Sequence, residues 1–192
     1  MIIRIDTTGI PEKKENREYY EYKEIEKYKK SRMIRATWII FDRKKKIRKE
    51  RDYIIKPKKF KIKKEISEIN KIYQKEAKEK GEEIEKVLKK IKKDMKKSSI
   101  IIGHNYEFIE NIIKSEIYRI KGETRMIKMM EEKKTICTSD RTKEIIKLPN
   151  NKKPTLGELY KYYCKKEMKK ETESIEKVKI ILECFFKMMK KK

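Results

Sequence analysis

Apolar residues in this chain fall in short blocks whose spacing alternates between two and three-to-four residues. Residues 2–6 open with Ile2, Ile3 and Ile5 and read as a first strand, closed by Thr7-Thr8-Gly9-Ile10-Pro11. A charged loop follows, containing Ile25, Glu26 and Tyr28. Residues 32–42 are rich in β-branched and aromatic side chains, among them Ile34, Thr37, Trp38, Ile39 and Phe41. The charged stretch 42–46 turns the chain into residues 47–56, where Tyr53-Ile54-Ile55 ends before Pro57. The two runs predict an antiparallel strand pair.

From residue 73 to 95 the spacing changes. Tyr73, Ala77, Ile84, Val87, Leu88, Ile91 and Met95 recur mainly at three, four and seven, which predicts one helix with a single apolar stripe. Gly81 weakens that helix without breaking it. Residues 99–103 (Ser-Ile-Ile-Ile-Gly) read as a short buried strand. Helical spacing resumes over 105–120 through Phe108, Ile112, Ile113 and Ile117. Thr155 and Glu158 form a capping box, each satisfying a free amide at the start of a helix whose apolar face is Leu156, Leu159, Tyr160 and Tyr163. The last helix, about 173–189, is apolar on a broad arc that includes Val178, Ile181, Leu182 and Phe185, so it belongs in the core. Residues 190–192 read as a frayed basic tail. The order β-β-β-α-β-α-α-α predicts a single α/β domain over 1–192, a mixed sheet flanked by helices.

Composition changes this picture in one respect. Of the 192 residues 46% are charged and 36% hydrophobic, a balance that in many chains prevents folding. Here 11 Tyr, 5 Phe and many Ile sit in blocks, with only 5 Gly and 4 Pro, which favours a folded core under a highly charged surface. The formal net charge is +25. Lys and Ile are favoured by AT-rich codons, yet whatever its origin such a surface attracts polyanions. The Lys runs at 44–46, 58–64 and 89–97 read as solvated faces. Cys137, Cys164 and Cys184 are too far apart for a zinc signature or disulfide framework and read as reduced, mostly buried thiols. The N-terminus has no signal-peptide pattern and no apolar run spans a bilayer. A soluble, intracellular protein with no membrane partner is expected.

Four segments, taken in order, carry a resemblance. They are Ile5-Asp6-Thr7-Thr8-Gly9-Ile10-Pro11, then Lys27-Tyr28 through Arg32 to Trp38, then Ile101-Ile102-Gly103-His104-Asn105-Tyr106-Glu107-Phe108, and finally Glu176-Lys177-Val178-Lys179 through Glu183-Cys184-Phe185-Phe186. Together they resemble the DnaQ-like, DEDDh-type 3′–5′ exonucleases of the ribonuclease H-like fold, and among them the exonuclease-like proteins of large DNA viruses. The resemblance implies a ribonuclease H-like mixed sheet and a groove for a single strand or 3′ end of nucleic acid. In that family four carboxylates hold two divalent metals, Mg or Mn, and a His acts as general base.

Matched residue by residue, the family's catalytic positions fall on Arg4, Asp6, Ile109, Thr172 and Lys177, so the resemblance implies that only Asp6 keeps an acid. Glu107, Glu110, Glu173 and Glu176 lie near vacated positions but on other helix faces. Arg4 and Lys177 would put fixed cations where metals sit, with Asp6 paired to one of them, and no metal cofactor is expected unless the site is active. Asn70 stands where the family often has a groove-lining His. The retained Thr7, Thr8, Gly9, His104 and Asn105, with Arg4 and Lys177, are the expected nucleic-acid contacts. Beside these roles stand plainer ones: His104 as a junction residue, Asn105 as a helix N-cap, Trp38 as core, and Met126, Met129 and Met130 as packing. The chain is therefore expected to be a catalytically degenerate, nucleic-acid-binding or structural relative in a nucleoprotein or virion assembly. An active divergent exonuclease and a protein–protein scaffold are the alternatives, with any protein partner unspecified.

Overall fold

The computed structural model describes residues 1–122 and 124–190, so Lys191 and Lys192 of the expected tail lie outside the described residues. Among these residues the sheet has five strands: β1 (Ile2–Thr7), β2 (Met33–Phe41), β3 (Ile47–Ile54), β4 (Ile101–Gly103) and β5 (Thr135–Cys137), in the order β3-β2-β1-β4-β5. β1, β2 and β3 are antiparallel, whereas β4 and β5 run parallel to β1. The mixed sheet is as expected.

Strand alternation sorts the two faces. Ile3 and Ile5 of β1, with Ala36 and Trp38 of β2, turn to one face and pack against α3 (Ile84–Lys96), α4 (Tyr106–Lys121) and α5 (Arg125–Glu132). Met126 and Met130 are buried in that layer and Met129 packs against it, so the methionine cluster is packing. Trp38 is core too, its indole N–H donating to Asp94 Oδ2 at 3.0 Å. Ile2, Ile39, Ile102 and Ile136 turn to the other face, under α7 (Leu156–Cys164) and α8 (Ser174–Lys190). There Cys164 and Cys184 are free, buried thiols 3.8 Å apart. Both bonds of the capping box at Thr155 and Glu158 are present.

Three expectations are corrected. The helix read over 73–95 is two, α2 (Gln74–Lys80) and α3, and Gly81 between them is extended at φ −67°, ψ 144°. The cause is tertiary: Glu82 pairs with the end of the third strand, its amide donating to Ile54 O at 2.8 Å and its carbonyl accepting from Lys56 at 2.9 Å. Tyr73, assigned to the apolar stripe, is exposed. The lysines at 58, 59, 61, 63 and 64 are exposed, as expected, and α1 (Lys64–Asn70) begins at the end of that run. Finally α5, β5 and α6 (Thr138–Ile146) fill a stretch that the apolar spacing left unassigned. No helix among the described residues is long and apolar enough to cross a membrane.

Candidate nucleic-acid interface

The face of the sheet under α8 is half apolar and half polar. Pairing sets Ile2 beside Ile39, then Arg4 beside Thr37, then Asp6 beside Arg35, and Thr37 in turn beside Asp52. The apolar end joins the core, and the polar end holds a chain of short contacts. Arg4 Nη2 donates to Asp6 Oδ1 at 2.5 Å. Ser174 Oγ donates to Asp6 Oδ2 at 3.3 Å and accepts from Thr37 at 2.9 Å. Thr37 Oγ1 also contacts Asp52 at 2.8 Å, and Arg35 Nε lies 3.5 Å from the same carboxylate. Asp6 and Ser174 are both buried.

Lys177 stands one turn after Ser174, on the same side of α8. Burial lowers the pKa of its ammonium, the Arg4 guanidinium lowers it further and Arg35 adds to this, while Asp6 offsets part of the effect. No carboxylate among the described residues forms a salt bridge with it within 4 Å. Arg4, Asp6 and Lys177 are thus brought together, as expected. Thr172 is not: it sits in the turn before α8, its hydroxyl donating to Lys169 O at 2.6 Å, and it lines a different concavity with Tyr160 and Met168. Ile109 is buried in the core layer and packs on Gly103, where an added Cβ would come within 2.9 Å of Ile109 Cδ1. Asn70 is bonded to its own helix through Ile66 O at 3.2 Å. Ser174 was not anticipated; a small polar residue three before Lys177 was its only signal.

Arg4 also lines a groove of about 1000 Å³. One wall is residues 13–19, with Lys13, Arg17 and Tyr19, and the opposite wall is residues 149–155, with Lys152 and Lys153. Lys13 Nζ rests 4.3 Å from the centre of the Tyr19 ring, a cation–π contact, and Tyr19 in turn lies against Phe108. On the far wall Asn150 and Asn151 are left-handed, at φ 56° and 53°, a conformation asparagine accepts more readily than most residues. The acids of the lining are Glu18 and Glu107, so its charge is strongly positive. Neither wall follows from the hydrophobic pattern or the family motifs, although Lys13, Arg17 and Tyr19 gave a basic-plus-aromatic signal.

His104 and Asn105 line the base of this groove. The His104 ring is within 3.0 Å of Thr138 Oγ1, and Pro154 O accepts from it. Burial lowers its pKa to about 4, against the bond to Pro154, with Arg4 lowering it further, so the imidazole is neutral at pH 7. It ties the start of α4 to the far wall, a junction residue as expected. Asn105 does occupy the N-cap of α4, but it is left-handed at φ 60° and its side chain makes no cap bond. The amides of Asn105 and Tyr106 donate instead to Ser139 Oγ at 3.2 Å and Cys137 Sγ at 3.3 Å, caps supplied by the neighbouring strand and helix.

Thr7, Thr8 and Gly9 lock the end of β1 to residues 30–32. Thr8 N donates to Arg32 O at 2.9 Å, Arg32 N donates to Thr8 Oγ1 at 2.8 Å, and a Cβ on Gly9 would come within 2.7 Å of Lys30 O. They are absent from the lining of the groove. Among the described residues no three His, Cys, Asp or Glu side chains converge as a metal site.

Comparison with known proteins points one way. The RNase T exonuclease family pattern matches residues 15–185, beginning after β1. A search of curated proteins found no match. Among solved structures, Exonuclease X in complex with 5′ overhanging duplex DNA superposes with a TM-score of 0.63 at 15% identity, covering 99% of this chain and 90% of that one. The nuclease domain of 3′hExo, a DEDDh family member bound to rAMP, gives 0.66 at 13% identity, covering 99% and 92%. E. coli Exonuclease I with a dA16 oligonucleotide gives 0.69 at 14% identity over all of this chain and 40% of that one.

Proposed function

The chain belongs to the RNase T exonuclease family, and from that premise we propose that it binds single-stranded nucleic acid in the family's groove without hydrolysing it. The observation that carries this reading is the ion pair between Arg4 and Asp6, 2.5 Å long, with Lys177 beside it. A pair of divalent cations needs several carboxylate oxygens around it. The polar end of the sheet offers Asp6 alone among the family's acid positions, already bonded to a guanidinium and a serine. A second guanidinium, Arg35, pairs across the strands from Asp6, and the Lys177 ammonium feels the charges of Arg4, Asp6 and Arg35; both cations repel a dication. These residues do not fit Mg or Mn, which leaves hydrolysis without its metals.

What the groove retains suits a strand. Basic side chains on both walls match a phosphate backbone. Tyr19, held by contacts with Lys13 and with the tilted ring of Phe108, adds to the lining an aromatic ring of the kind on which a base stacks whatever its identity. The relatives bound to rAMP, to a dA16 oligonucleotide and to overhanging duplex DNA support a nucleic-acid ligand of this kind. The test is release of nucleotides from a 3′-labelled oligonucleotide with Mg²⁺ or Mn²⁺ present. No release is expected, while binding persists in chelator. Turnover that Asp6→Ala abolishes would overturn the reading in favour of an active enzyme.

A further inference from the structure

The polar end of the sheet holds more positive charge than its acids offset. Asp6 is bonded by Arg4 and Ser174, and Asp52 by Thr37 with Arg35 close by. Both carboxylates are therefore engaged, and Lys177, one turn along α8 from the Ser174 that bonds Asp6, forms no salt bridge among the described residues. Arg4 has five N–H donors and spends one, on Asp6. Its side chain is 28% exposed and belongs both to this cluster and to the lining of the groove. A cluster of cations with its counter-charges spent costs free energy that an entering anion relieves.

Resting on strand binding in the groove, we propose that this cluster is an anion site for a terminal phosphomonoester, so that the groove selects nucleic-acid strands ending in phosphate over strands ending in hydroxyl. The choice of monoester over backbone phosphate follows from charge and shape. A phosphodiester brings one negative charge and two free oxygens, whereas a terminal phosphate brings about two charges and three oxygens. Guanidinium recognises phosphate through paired N–H donors, and Arg4 has donors to spare. Lys177, without a carboxylate of its own, supplies the second contact.

The experiment measures fluorescence anisotropy of one oligonucleotide sequence with three ends: a 3′-phosphate, a 5′-phosphate, or hydroxyls at both. The full chain is titrated in chelator at fixed salt. One phosphorylated end is expected to bind about tenfold tighter than the hydroxyl form, the size of one added charge-assisted contact, and the arms show which end it is. Lys177→Gln is expected to remove that preference. It breaks no ion pair, so its melting temperature should not fall. Lys152→Gln with Lys153→Gln is expected to weaken all three ligands by the same factor. Equal affinity for the three ends would overturn the phosphate site while leaving strand binding intact. A preference that survives in Lys177→Gln would overturn its placement at this cluster. Binding to none of the three would overturn the proposed function itself.

Discussion

The Glu116 side chain is 1% exposed; its carboxylate accepts from Arg32 Nε at 2.8 Å and from the Met33 amide at 3.0 Å, and Arg119 Nη1 forms an ion pair with it at 2.9 Å. It joins α4 to the entry of β2, so removing it strands two guanidiniums and a buried amide. Glu116→Ala is expected to cost about 3–5 kcal/mol, read from the denaturation midpoint; a loss under about 1 kcal/mol would show the pairs to be dispensable. His104 predicts a pH dependence of definite sign. Its folded pKa of about 4 lies below the free value of 6.5, so between these the unfolded chain takes up a proton that the folded chain refuses. The stability is fully present above pH 6.5 and falls as pH drops towards 4, by about 3 kcal/mol in all. Arg4 opposes the charged imidazole while Asp140 and Glu158 favour it, and the net balance follows burial. His104→Gln should flatten that part of the profile, and the chain's one imidazole should titrate by NMR near 4. Tyr19→Ala tests the stacking platform: a loss of about 1–3 kcal/mol in oligonucleotide affinity is expected, similar for every base sequence.

At the scale of elements, two glycines make opposite predictions. A Cβ on Gly81 would come within 2.2 Å of Ala77 O and 2.7 Å of Lys56 N, both backbone atoms, whereas on Gly157 in α7 it would meet only Met168 Cε at 3.9 Å. Gly81→Ala should destabilise despite alanine's helix propensity, and Gly157→Ala should stabilise by up to about 1 kcal/mol; thermal melts of the two variants decide it. The same glycine shows where the sequence stopped being readable. Long amphipathic helices, the β-branched strands and the Thr155 cap carry their signal locally, and they appear where their patterns put them. The break at Gly81 is made by the end of β3, a strand far back along the chain, which no local spacing records. β5 is three residues long with Thr135 exposed and α6 presents few apolar positions, so each takes its form from what it packs on, while α5 packs Met126, Ile127, Met129 and Met130 into only eight residues, too short a run for its period to stand out. In the site, Arg4, Asp6 and Lys177 were legible through the family resemblance because strand alternation and one helix face bring them together. Thr172 was misplaced because it lies in an irregular turn, and the groove walls were missed because loops carry no period.

Over the whole molecule, the fold is that of a nucleic-acid-degrading family, while on the function proposed for it cations and an isoleucine stand where acids would hold the metals. The +25 surface alone predicts affinity for any polyanion, falling with salt at a log–log slope of about −0.7 for each phosphate neutralised on a single strand. A groove that contributes its own contacts predicts more: affinity lost at Tyr19 and Lys177 beyond what two lysines of the 89–93 stretch account for. The central claim is that the charge at the polar end of the sheet comes from Arg4, which also lines this groove, and from Lys177 of α8, and not from metal ions. Titration of the purified chain with Mn²⁺, followed by electron paramagnetic resonance with and without a saturating oligonucleotide, tests it most directly. The free-ion signal should persist in full up to protein-equivalent Mn²⁺ in both samples, apart from the fraction that the oligonucleotide alone binds. One or two equivalents of Mn²⁺ captured by the protein, and released again in Asp6→Ala, would contradict it.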